Sequence, residues 1–175
     1  SGFGRKLPSY KFDTAKVIVS LGADFLGTWL SPVENARGYA KGRKIDEKSP
    51  VMSKHYQFES HLSMTGANAD ERFTHLPSET ASVAAALAAA VGVGGVSADI
   101  SDAKLKPAID KVAADLKAHN GEALVVSGSN DKHVQVIVSA INNAIGAFGK
   151  TIDWGTPVNY RQGIDSDMND LIAQM

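Results

Sequence analysis

Two short apolar runs rich in β-branched residues, each closed by a glycine, constrain the fold of this chain most. They are Val17–Leu21 before Gly22 and Ala123–Ser127 before Gly128. Apolar runs of this length without polar alternation are typical of strands buried on both faces, as in a parallel sheet. The chain between the two runs carries helical patterns, so the sequence predicts an α/β fold.

Three further segments have strand character: residues 55–59, 73–76 and 151–154. In the first of these, alternation places Tyr56 and Phe58 on one face and His55 and Gln57 on the other. Pro77 ends the second segment, because proline cannot continue a strand ladder.

Helical patterns fill the intervals, at residues 31–43, 79–91, 102–119, 131–148 and 165–174. A capping box of Ser31 and Glu34 predicts the start of the first helix. Ser78 is the expected cap of the second, and Pro107 interrupts the third or starts its second half. The fourth carries a continuous apolar stripe at helical spacing and ends before Gly149.

The order of strands and helices, without an internal repeat, predicts parallel pairing through right-handed crossovers. We expect a three-layer α/β/α sandwich with a mainly parallel, Rossmann-like sheet. Residues 1–175 fit one α/β domain. The abrupt start at Ser1 and the stop on a helix that would ordinarily deliver another strand lead us to expect a fragment of a larger protein.

Composition excludes several classes of function. The 18 basic and 19 acidic side chains give a net charge of -1, which gives no reason to expect a nucleic-acid partner. With no cysteine, the chain can hold neither a disulfide nor an iron–sulfur cluster. The longest apolar run, residues 83–96, is mostly alanine and glycine and is shorter than the roughly 20 residues needed to cross a bilayer.

The usual catalytic and metal motifs are also missing from the sequence. The five histidines lack the i, i+4 spacing of a zincin helix, and no G-x-S-x-G elbow is present. The sequence therefore predicts neither a catalytic residue nor a metal site.

Candidate binding residues follow three of the predicted strands, because ligands of open parallel sheets bind beyond the carboxyl ends of the strands. Gly22 and Asp24 follow the first, Glu59 ends the second, and residues 127–130 lead into a helix N-terminus. Asp24 would accept a bond from a ribose or a guanine edge, Glu59 would accept one from a ribose hydroxyl, and the helix N-terminus would hold an anion. A structural turn, an exposed turn glutamate and helix capping account for the same residues. The G-x-G-x-x-G spacing of a dinucleotide fingerprint is absent.

Several segments resemble the cofactor-binding domain of molybdopterin oxidoreductases. Residues 17–33 (VIVSLGADFLGTWLSPV) resemble its strand, turn and helix start, and residues 58–70 its next strand. Residues 76–80 resemble its return to a proline-led helix, and residues 141–150 (INNAIGAFGK) its Asn…Leu-Gly-x-x-Gly-Lys segment. The sequence of residues 52–70 most resembles the large iron–sulfur subunit of bacterial alternative complex III, a quinol-oxidising respiratory assembly.

This resemblance implies a site and a setting. In active relatives, the positions of Gly22, Asp24 and Glu59 contact the guanosine of a molybdopterin guanine dinucleotide, so these three residues are the expected cofactor-binding set, active or vestigial. Active relatives read Pro-Gly-Thr-Asp where this chain reads Pro77-Ser78-Glu79-Thr80. The molybdenum ligand and the iron–sulfur clusters would lie elsewhere in the parent.

The parent would be exported to the periplasmic side of the inner membrane, with other domains of the same chain and subunits of a membrane-associated respiratory complex as partners. The leading hypothesis is a scaffold domain that keeps a cofactor-binding fold, holds no cofactor and has no active site of its own. The alternatives are a genuine molybdopterin guanine dinucleotide-binding domain of an active oxidoreductase and a free nucleotide-binding module.

Overall fold

The computed structural model describes residues 7–45, 50–100, 102–158 and 165–175. The strands are β1 (Leu7–Tyr10), β2 (Val17–Leu21), β3 (Lys54–Glu59), β4 (Glu71–Thr74), β5 (Ala123–Ser127) and β6 (Ile152–Val158). The helices are α1 (Pro32–Gly42), α2 (Met64–Ala67), α3 (Thr80–Val91), α4 (Leu105–Ala118), α5 (Lys132–Ala144) and α6 (Asp165–Gln174), with a 3₁₀ turn at Pro77–Glu79 before α3.

The main sheet has four strands in the order β4-β3-β2-β5, and every neighbouring pair is parallel. The chain moves outward from β2 through β3 to β4 and then returns to β5 on the other side of β2. This order places the topological switch point between β2 and β5, where open α/β sheets form their ligand crevice. The predicted parallel α/β fold is confirmed.

Helices cover both faces of this sheet. The alternation predicted for β3 is confirmed, since His55 contacts Tyr39 of α1 while Tyr56 donates a hydrogen bond to Asp115 of α4. Adjacent residues of a strand point to opposite faces, so α1 and α4 lie on opposite sides of the sheet. The arrangement is therefore the predicted three-layer sandwich.

One capping bond and two helix boundaries differ from the prediction. Ser31 precedes α1, but its hydroxyl makes no capping bond, because its backbone (ψ 77°) is not in the extended conformation of a typical N-cap. Ser78 lies inside the 3₁₀ turn, so Glu79 occupies the N-cap position of α3. Helix α5 ends at Ala144, ahead of Gly149, because Gly146 adopts a left-handed conformation (φ 64°).

The start of α5, the end of α3 and the span of α6 fit the local sequence, whereas α4 differs from the prediction. Asp131 caps α5 by accepting a hydrogen bond from the His133 amide, and Gly92 closes α3 with a left-handed φ of 99°. Helix α4 covers residues 105–118 instead of 102–119. Pro107 neither interrupts this helix nor starts its second half, because it is the third residue of α4, in the first turn, where a missing N–H costs no helical bond. The final helix spans 165–174 as predicted.

Two strands differ from the prediction. The strand predicted at 73–76 is β4, which covers residues 71–74. Its register against β3 pairs Tyr56 with Glu71 and Glu59 with Thr74. The last strand, predicted at 151–154, runs from 152 to 158 and stays outside the main sheet. It pairs antiparallel with β1, a strand that the sequence did not predict.

Asn142 of α5 covers the open edge of the main sheet at β5. Its side chain accepts from the Val125 amide (3.0 Å) and donates to the Val125 carbonyl (2.7 Å), which replaces the missing neighbour strand. Both residues are buried, so removal of this amide leaves backbone groups without water or partner.

Asn142→Ala is therefore expected to lower the free energy of unfolding by about 1.5 kcal/mol, measured by urea denaturation. The neighbouring Asn143 is exposed, so Asn143→Ala is the matched control and should change the stability by less than about 0.5 kcal/mol. Equal effects of the two substitutions would contradict the role given to Asn142.

Candidate functional site

The ends of β2, β3 and β5 meet at a cleft of about 530 Å³ on the carboxyl edge of the sheet. Gly22, Asp24 and Glu59, the three predicted binding residues, all line it. The loop after β5 approaches β2 so closely that a side chain at Gly128 would overlap the backbone of Gly22. The structure thus brings the predicted residues together, and their binding of a cofactor stays a prediction.

Asp24 uses its carboxylate to hold the loop after β2 against α2. Its Oδ1 accepts from the backbone amide (3.0 Å) and the hydroxyl (2.8 Å) of Thr65, and its Oδ2 accepts from the hydroxyl of Thr28 (3.3 Å). The Thr65 hydroxyl in turn accepts from the Leu26 amide at 2.9 Å. Asp24 therefore performs the structural role that the turn interpretation assigns to it.

Glu59 is 2% exposed and is surrounded by donors from its own chain. Arg72 Nε lies 2.5 Å from Oε1, and the Ser63 hydroxyl lies 2.6 Å from Oε2. The Gln57 side-chain amide (3.0 Å) and the Ser63 backbone amide (3.3 Å) complete the shell. Burial by itself would raise the pKa of Glu59, but the hydrogen bonds from Arg72 and Ser63 outweigh it and lower the pKa.

The interpretation of Glu59 as an exposed turn residue is therefore wrong. Ser63 also caps α2 by accepting from the Gly66 amide (2.9 Å), and a side chain at Gly66 would overlap the Glu59 carboxylate. Helix α2 packs around the Glu59 carboxylate, and the two carboxylate oxygens already accept hydrogen bonds from four donor groups.

A row of buried polar side chains continues from Glu59 along one face of β3. Gln57 links Glu59 to His55, whose Nε2 lies 3.2 Å from the Gln57 Oε1. The other ring nitrogen lies 3.1 Å from the Tyr39 hydroxyl. Burial lowers the pKa of His55 to about 4, against an ordinary value of 6.5.

The loop after β5 is organised by helix capping. Asp131 accepts from the His133 amide at 2.7 Å, and the Ser129 amide donates to the Ser127 hydroxyl at 3.2 Å. The Gln135 side-chain amide donates to the Ser129 carbonyl at 2.6 Å. The capping interpretation of residues 127–130 is supported by these bonds, which engage amides that the anion interpretation requires.

The cleft is lined by acidic side chains. Asp24, Glu59 and Asp131 line it, and within the described ranges none of its lining residues is a lysine or an arginine. A cleft lined by one sign of charge repels ligands of the same sign. Together with the occupied carboxylates, this charge makes the described residues a poor fit for the guanosine diphosphate portion of a molybdopterin guanine dinucleotide.

His75 is a member of the cleft that sequence reasoning missed. It follows β4, is 9% exposed, and its Nδ1 lies 2.8 Å from the Leu76 carbonyl. Its Nε2 is buried and has no hydrogen-bond partner among the described residues. The available signal was a histidine near the end of the strand predicted at 73–76, at the same sheet edge as Glu59.

In the described part of the chain, no group of three or more potential metal-ligating side chains converges. None of the helices there has the length and apolarity needed to cross a membrane.

Comparison with protein-family models and with curated proteins gives no match to this chain. The resemblance to molybdopterin oxidoreductases therefore stays a prediction. The parallel fold and the cleft rest on the geometry described above.

Proposed function

We propose that this chain is a scaffold domain with a cofactor-binding fold, part of a larger molybdopterin-oxidoreductase-like respiratory electron-transfer subunit. In this proposal it supports packing against other domains and subunits and has no active site of its own. The main observation for the proposal is that both acidic residues at the strand ends form hydrogen bonds with other residues of the chain. Asp24 holds the loop after β2, and Glu59 holds Arg72 and α2.

The cost of a different use of Glu59 supports this proposal. A ribose hydroxyl could bind Glu59 only by displacing Ser63, Gln57 or Arg72, each of which would then need a new partner. Gln57 is fully buried, and a buried polar group left without a partner costs about 1–3 kcal/mol, which is similar to the gain from a new hydrogen bond to a charged group. Cofactor binding through Glu59 therefore brings little net free energy.

The genuine dinucleotide-binding domain is the second candidate. It is favoured by the strand order, which puts the cleft at the switch point, where such cofactors bind. A free nucleotide-binding module shares this support, but it lacks the glycine fingerprint and meets the same negative charge.

Analysis of the parent protein tests the proposal. Purified parent should contain less than about 0.1 equivalent of molybdenum by mass spectrometry and no oxidised pterin by fluorescence, a loading below which tight cofactor binding is excluded. Stoichiometric pterin and molybdenum would instead establish the second candidate. The sequence flanking this chain gives a separate test, because cluster-binding cysteine motifs upstream are expected only if the chain belongs to such a subunit.

A further inference from the structure

All four methionines of this chain are exposed. Each lies within the described residues, and the exposed fraction is 40% for Met52, 61% for Met64, 59% for Met168 and 97% for Met175. Methionine is ordinarily a core residue, because its flexible thioether fills irregular gaps. The core described here consists instead of aliphatic and aromatic side chains without sulfur. Since the chain has no cysteine, its sulfur is confined to the surface.

An exposed thioether is a site for oxidation by peroxides. The sulfur donates a lone pair to one oxygen of hydrogen peroxide, and an S–O bond forms as the O–O bond breaks. The proton of the transferred oxygen moves to the other oxygen, which leaves as water. Cysteine thiolates would compete for the oxidant, but this chain has none. Because the product sulfoxide is polar, each oxidation replaces an apolar surface group with a polar one.

Two of the four methionines belong to one apolar face at α6. Met168 lies within this helix, and Met175 directly follows its last residue. The face shares the i, i+3, i+4, i+7 spacing of a helical stripe, and its exposed members are Met168, Leu171, Ile172 and Met175. Oxidation of Met168 and Met175 therefore makes half of these side chains polar.

We propose that the four surface methionines are sites of reversible oxidation by peroxides, and that this oxidation changes the apolar face of α6 without disturbing the core. A thiol-dependent sulfoxide reductase supplies the return step, in which two thiols reduce the sulfoxide to the thioether and form a disulfide and water. This inference goes beyond the scaffold role and depends on neither the family resemblance nor the cleft.

Treatment of the 175-residue chain with hydrogen peroxide, followed by peptide mapping with mass spectrometry, measures the oxidation rate of each methionine. Each native methionine should react within about threefold of the rate of N-acetyl-methionine amide, because its sulfur is accessible. The urea midpoint of the fully oxidised chain should stay within about 0.2 M of the untreated value, because no core contact changes.

Two introduced methionines calibrate the rates. Leu87 is fully buried in α3, so Leu87→Met places a thioether in the core with little change in volume. This site should react at least about tenfold more slowly than the native methionines. Val136 is exposed on α5, so Val136→Met is the matched surface variant and should react as fast as they do.

Hydrophobic-interaction chromatography measures the change at α6. Peroxide should shorten the retention time of the wild-type chain, and methionine sulfoxide reductases of both stereospecificities, with dithiothreitol, should restore it. Met168→Leu/Met175→Leu keeps an apolar face that peroxide cannot oxidise. This variant should therefore lose less retention on oxidation than the matched double variant Met52→Leu/Met64→Leu.

The rates of the wild-type chain keep the test decisive if Leu87→Met fails to fold. Protection of any native methionine by more than about tenfold, or a lowered urea midpoint after oxidation, would overturn the inference. Equal loss of retention in the two double variants, or a retention that the reductases do not restore, would also overturn it. None of these outcomes bears on the scaffold proposal, which depends on the pterin and molybdenum content of the parent.

Discussion

Replacing Arg72 with leucine is expected to lower the free energy of unfolding by about 3–5 kcal/mol. Glu59 is 2% exposed, and Arg72 is the cation that compensates its charge. Removal of one partner from a buried ion pair leaves an uncompensated charge, and this is the main source of the loss. Equilibrium urea denaturation at pH 7 measures the effect.

Two comparisons separate this effect from ordinary loss of packing. Arg37 is exposed and forms no ion pair among the described residues, so Arg37→Leu should change the stability by less than about 0.5 kcal/mol. The double variant Glu59→Gln/Arg72→Leu should be more stable than Arg72→Leu alone, because it removes the buried charge. If Arg72→Leu and Arg37→Leu had equal effects, the structural role of Glu59 would be wrong.

Acidification from pH 7 to pH 5 is expected to reduce the free energy of unfolding by about 2 kcal/mol through His55 alone. Burial lowers its folded-state pKa to about 4, while the unfolded chain titrates near 6.5. Between these values the unfolded chain binds a proton that the folded chain does not. This stability is complete above pH 6.5 and is lost as the pH falls toward 4.

The pH range in which stability is lost distinguishes His55 from the acidic residues. Glu59 and Asp70 also have lowered pKa values, but their contributions are lost only below the ordinary range of carboxyl groups, near pH 4. His55→Gln should therefore flatten the stability profile between pH 7 and 5, whereas replacement of the exposed His133 by glutamine should leave it unchanged. An unaltered profile in the His55 variant would refute the assignment.

Local patterns were sufficient to predict most of the main sheet. β2 and β5 are predictable because five consecutive mainly apolar residues followed by glycine are enough to indicate a buried strand. Parallel pairing followed from the intervening helices. The stripe of α5 was equally clear, although its end was not, because only the left-handed backbone of Gly146 stops the helix before Gly149.

Long-range pairing accounts for the missed strand. β1 contains a proline and lacks apolar alternation, and its partner β6 lies at the other end of the chain, with Tyr10 opposite Ile152. A strand of this kind is stabilised by its partner more than by its own composition. Neither segment alone contains that information.

The position of the candidate site was predicted from the sequence, but the hydrogen-bond donors that its acidic residues engage were not. Gly22, Asp24 and Glu59 follow strand ends, so the topology of the sheet was enough to bring them together. The donors that occupy Asp24 and Glu59 come from Thr65 and Arg72, on a helix and a strand whose approach depends on tertiary packing. The same packing leaves His75 without a partner.

Calorimetric titration of the chain with guanosine 5′-diphosphate tests most directly whether the strand-end acids serve the fold and bind no nucleotide. We predict no saturable heat of binding up to about 1 mM nucleotide, because a cleft with occupied carboxylates and no basic lining side chain offers the diphosphate little net attraction. Saturable binding that is abolished by Asp24→Asn, in a variant that remains folded, would contradict the account.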